Sequence, residues 1–246
     1  MQDAIRLSNV YKIFSPQTEG AKPLVALNNV SFTISEGSLT VIAGSNGSGK
    51  SVLMQIISGL IEKSDGEVYT SSKPGLIFQE AAAQILGDTP REDVEVGPKN
   101  MGLSKKDAAV VSQKALEKVS LLHKADYPAD FLSGGEKRRL SVASICAMEK
   151  NIIIFDEPYA NLDYPGIKDV NALIKELHES GKTILILSHE LEKCLGLSDH
   201  FIVLRQGELV FDGTPEEALK KHAKDFSLWA LHNPLTSYNL LSDLVW

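Results

Sequence analysis

Apolar and polar positions alternate across residues 4–10, the period of a strand with one covered face. Residues 23–26 lead into a second strand that continues through 30–34. Between them lies a polar stretch, 15–22, whose Pro16 and Gly20 suit a hairpin loop. Residues 39–43 form a short apolar strand, and 51–60 a helix stopped at Gly59; 67–70 and 75–78 are again strand-like. From about 84 to 148 the spacing turns helical, most plainly at Ala108, Val111, Ala115, Leu116 and Val119. Strands at 152–155 and 183–187 then alternate with helices at 167–180 and 191–197. Residues 201–205 and 208–212 pair around Gln206-Gly207, and Pro215 opens a helix to about 231, before the break at Asn233-Pro234. The pattern predicts an α/β fold. A parallel sheet is wrapped by helices, an antiparallel β subdomain precedes it, and a helical subdomain at about 84–148 is inserted.

Composition narrows the picture. A chain of 246 residues with 43% hydrophobic and 23% charged residues reads as one soluble domain, 1–225, with a tail, 226–246. A net charge of −7 speaks against nucleic-acid binding. No apolar run approaches the roughly 18–20 residues that span a bilayer. The opening Met-Gln-Asp lacks a basic-then-apolar leader. Cys146 and Cys194 read as small buried hydrophobes in a reducing compartment, so the chain is expected in the cytosol.

Two segments carry chemistry. Gly44-Ser45-Asn46-Gly47-Ser48-Gly49-Lys50-Ser51 fits the phosphate-binding loop without mismatch, between a strand and a helix. Its glycines let successive N–H groups turn inward, and the helix start adds partial positive charge. Lys50 is expected to reach the β- and γ-phosphates, and the Ser51 hydroxyl to bind Mg²⁺. Downstream, the strand at 152–155 ends in Asp156-Glu157, at the C-terminal end of the strand, where open α/β folds place ligands. There Asp156 would hold the Mg²⁺ shell and Glu157 would act as general base on an attacking water.

Leu132-Ser133-Gly134-Gly135-Glu136 stands between those two segments. It resembles the signature of the ABC (ATP-binding cassette) ATPases, and other parts of that family's set follow in order. Gln79 comes after the strand at 75–78, Asn161-Leu162-Asp163 after Glu157-Pro158, and His189 after the strand at 183–187. The resemblance implies an ABC-type P-loop NTPase fold with a RecA-like sheet. It implies that Ser133, Gly134 and Gly135 bind the γ-phosphate of ATP held by a second ABC ATPase subunit, identical or paralogous. It also implies that Gln79 touches metal and water, that Asp163 lies at the dimer seam and that His189 contacts the γ-phosphate. Phe14 matches the adenine-stacking aromatic, with Tyr11 the weaker candidate.

The stretch after Gln79 resembles ATPases of energy-coupling factor (ECF) importers, through Gln84-Ile85-Leu86-Gly87, Gly97-Pro98 and Gly102-Leu103-Ser104. That implies an ATPase peripheral to the cytoplasmic face of the cell membrane. It would serve a polytopic coupling subunit and a substrate-binding membrane subunit in uptake of a vitamin or a transition metal. Ala81, Ala82 and Ala83 depart from the family's polar residues there, and Glu136 replaces the commoner glutamine. The alternative is a soluble ABC ATPase of iron–sulfur cluster assembly, which shares the Ser-Gly-Gly-Glu-Lys letters. Lys137-Arg138-Arg139 reads either as a solvated basic face or as a contact with an acidic partner surface.

Overall fold

The computed structural model describes residues 2–16, 22–222, 224–229, 231 and 241–245. β1 (Asp3–Phe14) and β2 (Leu24–Ser35) pair antiparallel over almost their full length. The sequence pattern carried this second strand from 23–26 on through 30–34, as the structure has it. It is one strand, bulged where Asn29 takes a φ of 56° opposite Asn9 at 49°, a conformation asparagine tolerates better than most residues. The two side chains meet, Asn9 Nδ2 donating to Asn29 Oδ1 at 2.8 Å.

β3 (Leu39–Ala43) starts a second sheet and runs directly into α1 (Lys50–Ile57). β4 (Asp65–Thr70) returns to the first sheet as the far neighbour of β1. β5 (Gly75–Ile77) joins the second sheet. α2 (Pro90–Asn100), α3 (Lys105–Lys118) and α4 (Gly134–Ala147) follow. β6 (Ile152–Asp156), α5 (Tyr164–Glu179), β7 (Thr183–Leu187), β8 (His200–Arg205) and β9 (Glu208–Gly213) complete the alternation. The second sheet has the order β5-β6-β7-β3-β8-β9, and only β9 is antiparallel to its neighbour. Both its faces are covered, which is why its strands are apolar nearly throughout. Ile153, Phe155, Ile184 and Ile186 pack with the helices, whereas Ile152, Ile154, Leu185 and Leu187 pack with α1 and the antiparallel sheet.

Side-chain caps set where the helices begin. Thr89, Ser104, Ser133 and Asp163 each accept the N–H three residues on, at the heads of α2, α3, α4 and α5. Two sequence expectations are corrected. Residues 191–197 are not one helix but two 3₁₀ turns, Leu191–Lys193 and Leu195–Leu197, because Cys194 leaves the helical region at φ −142°. Gly196 there donates its N–H to Leu244 O at 3.0 Å. The helix from Pro215 breaks at His222, giving α6 (Pro215–Lys221) and α7 (Asp225–Leu228), with His222 Nδ1 taking the Asp225 carboxylate at 2.8 Å. Phe226, Trp229, Leu231 and Leu244 are buried in this domain's own core. Leu240, Trp246, Asn233-Pro234 and the 17–21 part of the first loop lie outside the described residues.

The basic run is corrected as well. Arg138 is only 2% exposed and Arg139 pairs with Asp169 at 2.8 Å, so neither belongs to a solvated face.

Candidate nucleotide site

Between β3 and α1 the chain turns so tightly that side chains would not fit. A Cβ on Gly44 would lie 2.4 Å from Leu204 O, and one on Gly49, at φ +105°, would lie 2.7 Å from Ala26 O. Lys50, first in α1, folds back over this turn and donates from Nζ to Gly44 O at 2.5 Å, with Ser45 O at 3.4 Å. Burial pulls its amine below the usual lysine range, against the opposing pull of Glu157 and Asp156. The Ser48 hydroxyl is buried without a hydrogen-bond partner among the described residues. An orphaned donor, a half-satisfied ammonium and a side-chain-free turn at a helix start together form an anion cradle.

The end of β6 faces that cradle. Glu157 sits just past the strand with φ 44°, a left-handed conformation that costs a non-glycine residue on the order of 1 kcal/mol. Its N–H is fixed to Leu187 O at 2.8 Å. Its carboxylate is shared: Oε1 lies 2.9 Å from His189 Nδ1 and 3.8 Å from Lys50 Nζ, and Oε2 accepts from the Ser188 hydroxyl at 3.2 Å. Burial, then the neighbouring Glu157 charge, raise the Asp156 carboxyl above its ordinary value. Three charges held in one partly dry place, two of them carboxylates, mark a site kept for a ligand's charge.

One cleft of about 360 Å³ gathers Phe14, Asn46, Gly47, Ser48, Gly49, Lys50, Ser51, Gln79, Glu157 and His189. Phe14, a residue 38% exposed, lines the cleft with Val25, and Lys12 Nζ lies 4.8 Å from its ring centroid. Tyr11 does not line the cleft; it pairs with Asp65 in the β1–β4 ladder.

The remaining predicted residues stand elsewhere. Ser133 and Gly134 are exposed at the head of α4 and line no part of the cleft. Ser133 forms a reciprocal cap with Glu136: its Oγ accepts from Glu136 N at 3.3 Å, and Glu136 Oε2 accepts from Ser133 N at 2.9 Å. A Cβ on Gly134 or Gly135 would meet nothing within 4 Å, and neither has a positive φ. Asp163, likewise exposed, caps α5 by accepting from Gly166 N at 3.0 Å.

Residues 27–160 match the ABC transporter family. The chain belongs to that family. An ABC relative from Clostridium perfringens, named energy-coupling factor transporter ATP-binding protein EcfA2, is 35% identical over 237 residues, 89% of this chain and 82% of its own. The structure of cbiO1 from Clostridium perfringens, described as part of the ABC transporter complex cbiONQ, superposes with a TM-score of 0.79. It is 26% identical and covers 93% of this chain and 96% of that one. A dimeric post-hydrolysis state of the ATP-binding cassette MJ0796, bound to ADP and phosphate, gives a TM-score of 0.76 at 28% identity, over 86% of this chain and 98% of that one. The chain is therefore an ABC ATPase, with the mixed α/β fold of that family.

Two residues of this ABC site escaped the sequence reading. Ser188, beside His189, holds Glu157, and a serine ahead of a histidine at a strand end carries no signal of that. Arg138 holds the backbone of Gln79 from α4, through contacts described below.

Proposed function

We propose that this ABC ATPase powers an ECF-type importer for a vitamin or a transition-metal micronutrient, closing as a pair of ATPase subunits around ATP. The observation that carries the reading is a separation. Lys50, Glu157 and His189 converge on one cleft, while Ser133 and its two glycines stand open on another surface. A site in two halves on one chain calls for a second ATPase subunit, identical or paralogous. Names of the relatives supply the transport context.

Each residue's part follows from its place. Phe14 stacks on adenine, and Asn46, Gly47, Ser48 and Gly49 offer backbone donors to the phosphates. Lys50 neutralises β- and γ-phosphate charge. Ser51, Asp156 and Gln79 offer the oxygen ligands that Mg²⁺ takes, few enough to leave room for phosphates and waters. Mg²⁺ held there would supply neutralisation of phosphate charge. Glu157 accepts the proton of a water whose oxygen bonds to the γ-phosphorus as the β–γ bridging bond breaks, giving ADP and phosphate. His189 holds that carboxylate and faces the γ-phosphate. Ser133, Gly134 and Gly135 clamp the partner's γ-phosphate, and Asp163 lies at the seam. Residues 1–225 form the ATPase domain with a helical arm at about 84–148, and 226–246 form a tail whose Phe226, Trp229, Leu231 and Leu244 belong to that domain's own core, so a dimer contact would fall to the tail's other residues. The ATPase pair docks at the cytoplasmic face of the membrane on a polytopic coupling subunit, beside a substrate-binding membrane subunit.

Two measurements test this. Glu157→Gln is expected to keep ATP binding, to lose about 10²–10⁴-fold in kcat and to run as an ATP-trapped dimer in light scattering. Normal hydrolysis by that variant would remove Glu157 as the base. Affinity purification in mild detergent from the native cells is expected to bring down a polytopic membrane protein. Recovery of soluble cluster-assembly proteins alone would replace transport with iron–sulfur work.

A further inference from the structure

A buried arginine whose guanidinium grips main-chain carbonyls is unusual, because burial of that charge is costly unless it is satisfied. Arg138 is such a residue. It sits in α4, five residues beyond Ser133, which at about 3.6 residues per turn places it roughly one and a half turns into the helix. One terminal nitrogen donates to Phe78 O and the other to Gln79 O, the second at 2.6 Å. Two parallel donors on consecutive carbonyls fix both position and orientation of the backbone between them. The same guanidinium is attracted by the Asp156 charge at the end of β6. Arg138 thus ties the signature helix to the segment that carries Gln79.

Gln84 also tethers the segment. Gln84 Oε1 accepts from Phe78 N at 3.1 Å while its Nε2 donates to Leu76 O at 2.8 Å. Gln79 itself is exposed, and its side chain has no hydrogen-bond partner among the described residues, so its direction is inherited from the backbone. At its other end α4 is locked by the Ser133–Glu136 cap and by Lys124 Nζ on Glu136 Oε1 at 2.5 Å. Ser133 and Arg138 thus stand on one continuous helix whose start is capped and pinned.

We infer that Arg138 is a positioning residue: it sets Gln79 from the signature helix, so that engagement of Ser133 by the partner's nucleotide adjusts the Gln79 serving this chain's own. The inference rests on the proposed role of Gln79 in turnover. A merely structural arginine would affect stability whatever stands at position 79, and a positioning arginine would act on turnover only through Gln79.

The test is a double-mutant cycle on the full chain, with kcat and KM for MgATP and the Tm of each variant. Arg138→Lys keeps the charge and loses the two-pronged grip. It is expected to lower kcat about tenfold with KM within about twofold. Gln79→Ala is expected to lower kcat by at least as much. In the Gln79→Ala background, Arg138→Lys is expected to add less than about twofold. Gln84→Ala, which removes the Gln84 side-chain tether and leaves Arg138 in place, is expected to lower kcat and likewise to add little once Gln79 is gone, so the inference stays open to test if Arg138→Lys folds poorly. Additive losses across the cycle, or an unchanged kcat in Arg138→Lys and Gln84→Ala, would overturn it while leaving Gln79 in place. An unchanged kcat in Gln79→Ala would overturn the reading of Gln79 and this inference with it.

Discussion

The phosphate cradle and the signature surface are both glycine-rich helix starts, yet they are built in opposite ways. In the cradle the glycines are demanded by the chain itself, since a Cβ on Gly44 would strike Leu204 O and Ser48 Oγ, each 2.4 Å away. At the signature a Cβ on either glycine would point into open space. Glycine near a helix start without a steric or φ requirement is a stability cost of up to about 1 kcal/mol relative to alanine. A cost with no return inside the chain points to a return outside it. The charges tell the same story. Burial pulls Lys50 down and Asp156 up, so the cradle holds ionised groups at a disadvantage. Glu136 beside the signature is instead held below its ordinary value, first by the Lys124 hydrogen bond. One region is strained for a ligand; the other is settled as a fold element and left open for a partner.

Gly44→Ala is the change expected to have the largest effect on the free chain. Overpacking and backbone strain together are expected to cost about 2–5 kcal/mol, with loss of measurable ATP binding. Thermal melting and a fluorescent-nucleotide titration read both. An unchanged Tm would mean that the cradle's glycines are as unconstrained as the signature's, and the contrast would be gone.

Gly134→Ala sharpens the contrast from the other side. The free chain is expected to keep its Tm or gain up to about 1 kcal/mol, and to bind ATP within about twofold of the parent. Turnover at concentrations that permit pairing is expected to fall about a hundredfold, as when a donor aimed at a reacting phosphate is displaced. A Tm drop like that of Gly44→Ala would show that this glycine serves its own fold.

How much of this could be read along the chain follows from the range of each interaction. The phosphate loop, the Asp156-Glu157 strand end and the hairpin around Gln206-Gly207 are local patterns, and they lie where the spacing places them. Phe14 entered only through family resemblance; the structure sets it in the cleft and leaves Tyr11 outside. Residues 191–197 were misread because Gly196 takes its partner from Leu244, almost fifty positions on. Arg138 was misread because three basic residues in a row resemble a solvated face. Its contacts, Phe78 and Gln79, lie about sixty positions upstream. Long-range partners leave no trace in local periodicity.

The smallest effects come from the electrostatic side of the comparison, and there the sign carries the argument. Asp156 has a raised folded-state value, so the folded chain binds its proton more tightly than the unfolded chain does. Without nucleotide, stability therefore falls as pH rises from 3.8 through the raised value, and the loss persists above it. Asp156→Asn removes that penalty. It is expected to stabilise the nucleotide-free chain at pH 7 by about 1 kcal/mol while turnover collapses, with the advantage fading towards acid pH. Glu136 runs the other way. Its depressed value gives stability that is present above 4.5 and lost as pH falls through the lowered value. Glu136→Gln keeps the capping acceptor and gives up the charge, so it is expected to be slightly less stable than the parent at pH 7, by about 0.5 kcal/mol, and to converge on it in acid. Melting each variant beside the parent across pH yields two difference curves. Opposite signs at neutral pH would place the strain in the cradle and the settled charge at the signature; curves of the same sign would make the two helix starts electrostatically alike.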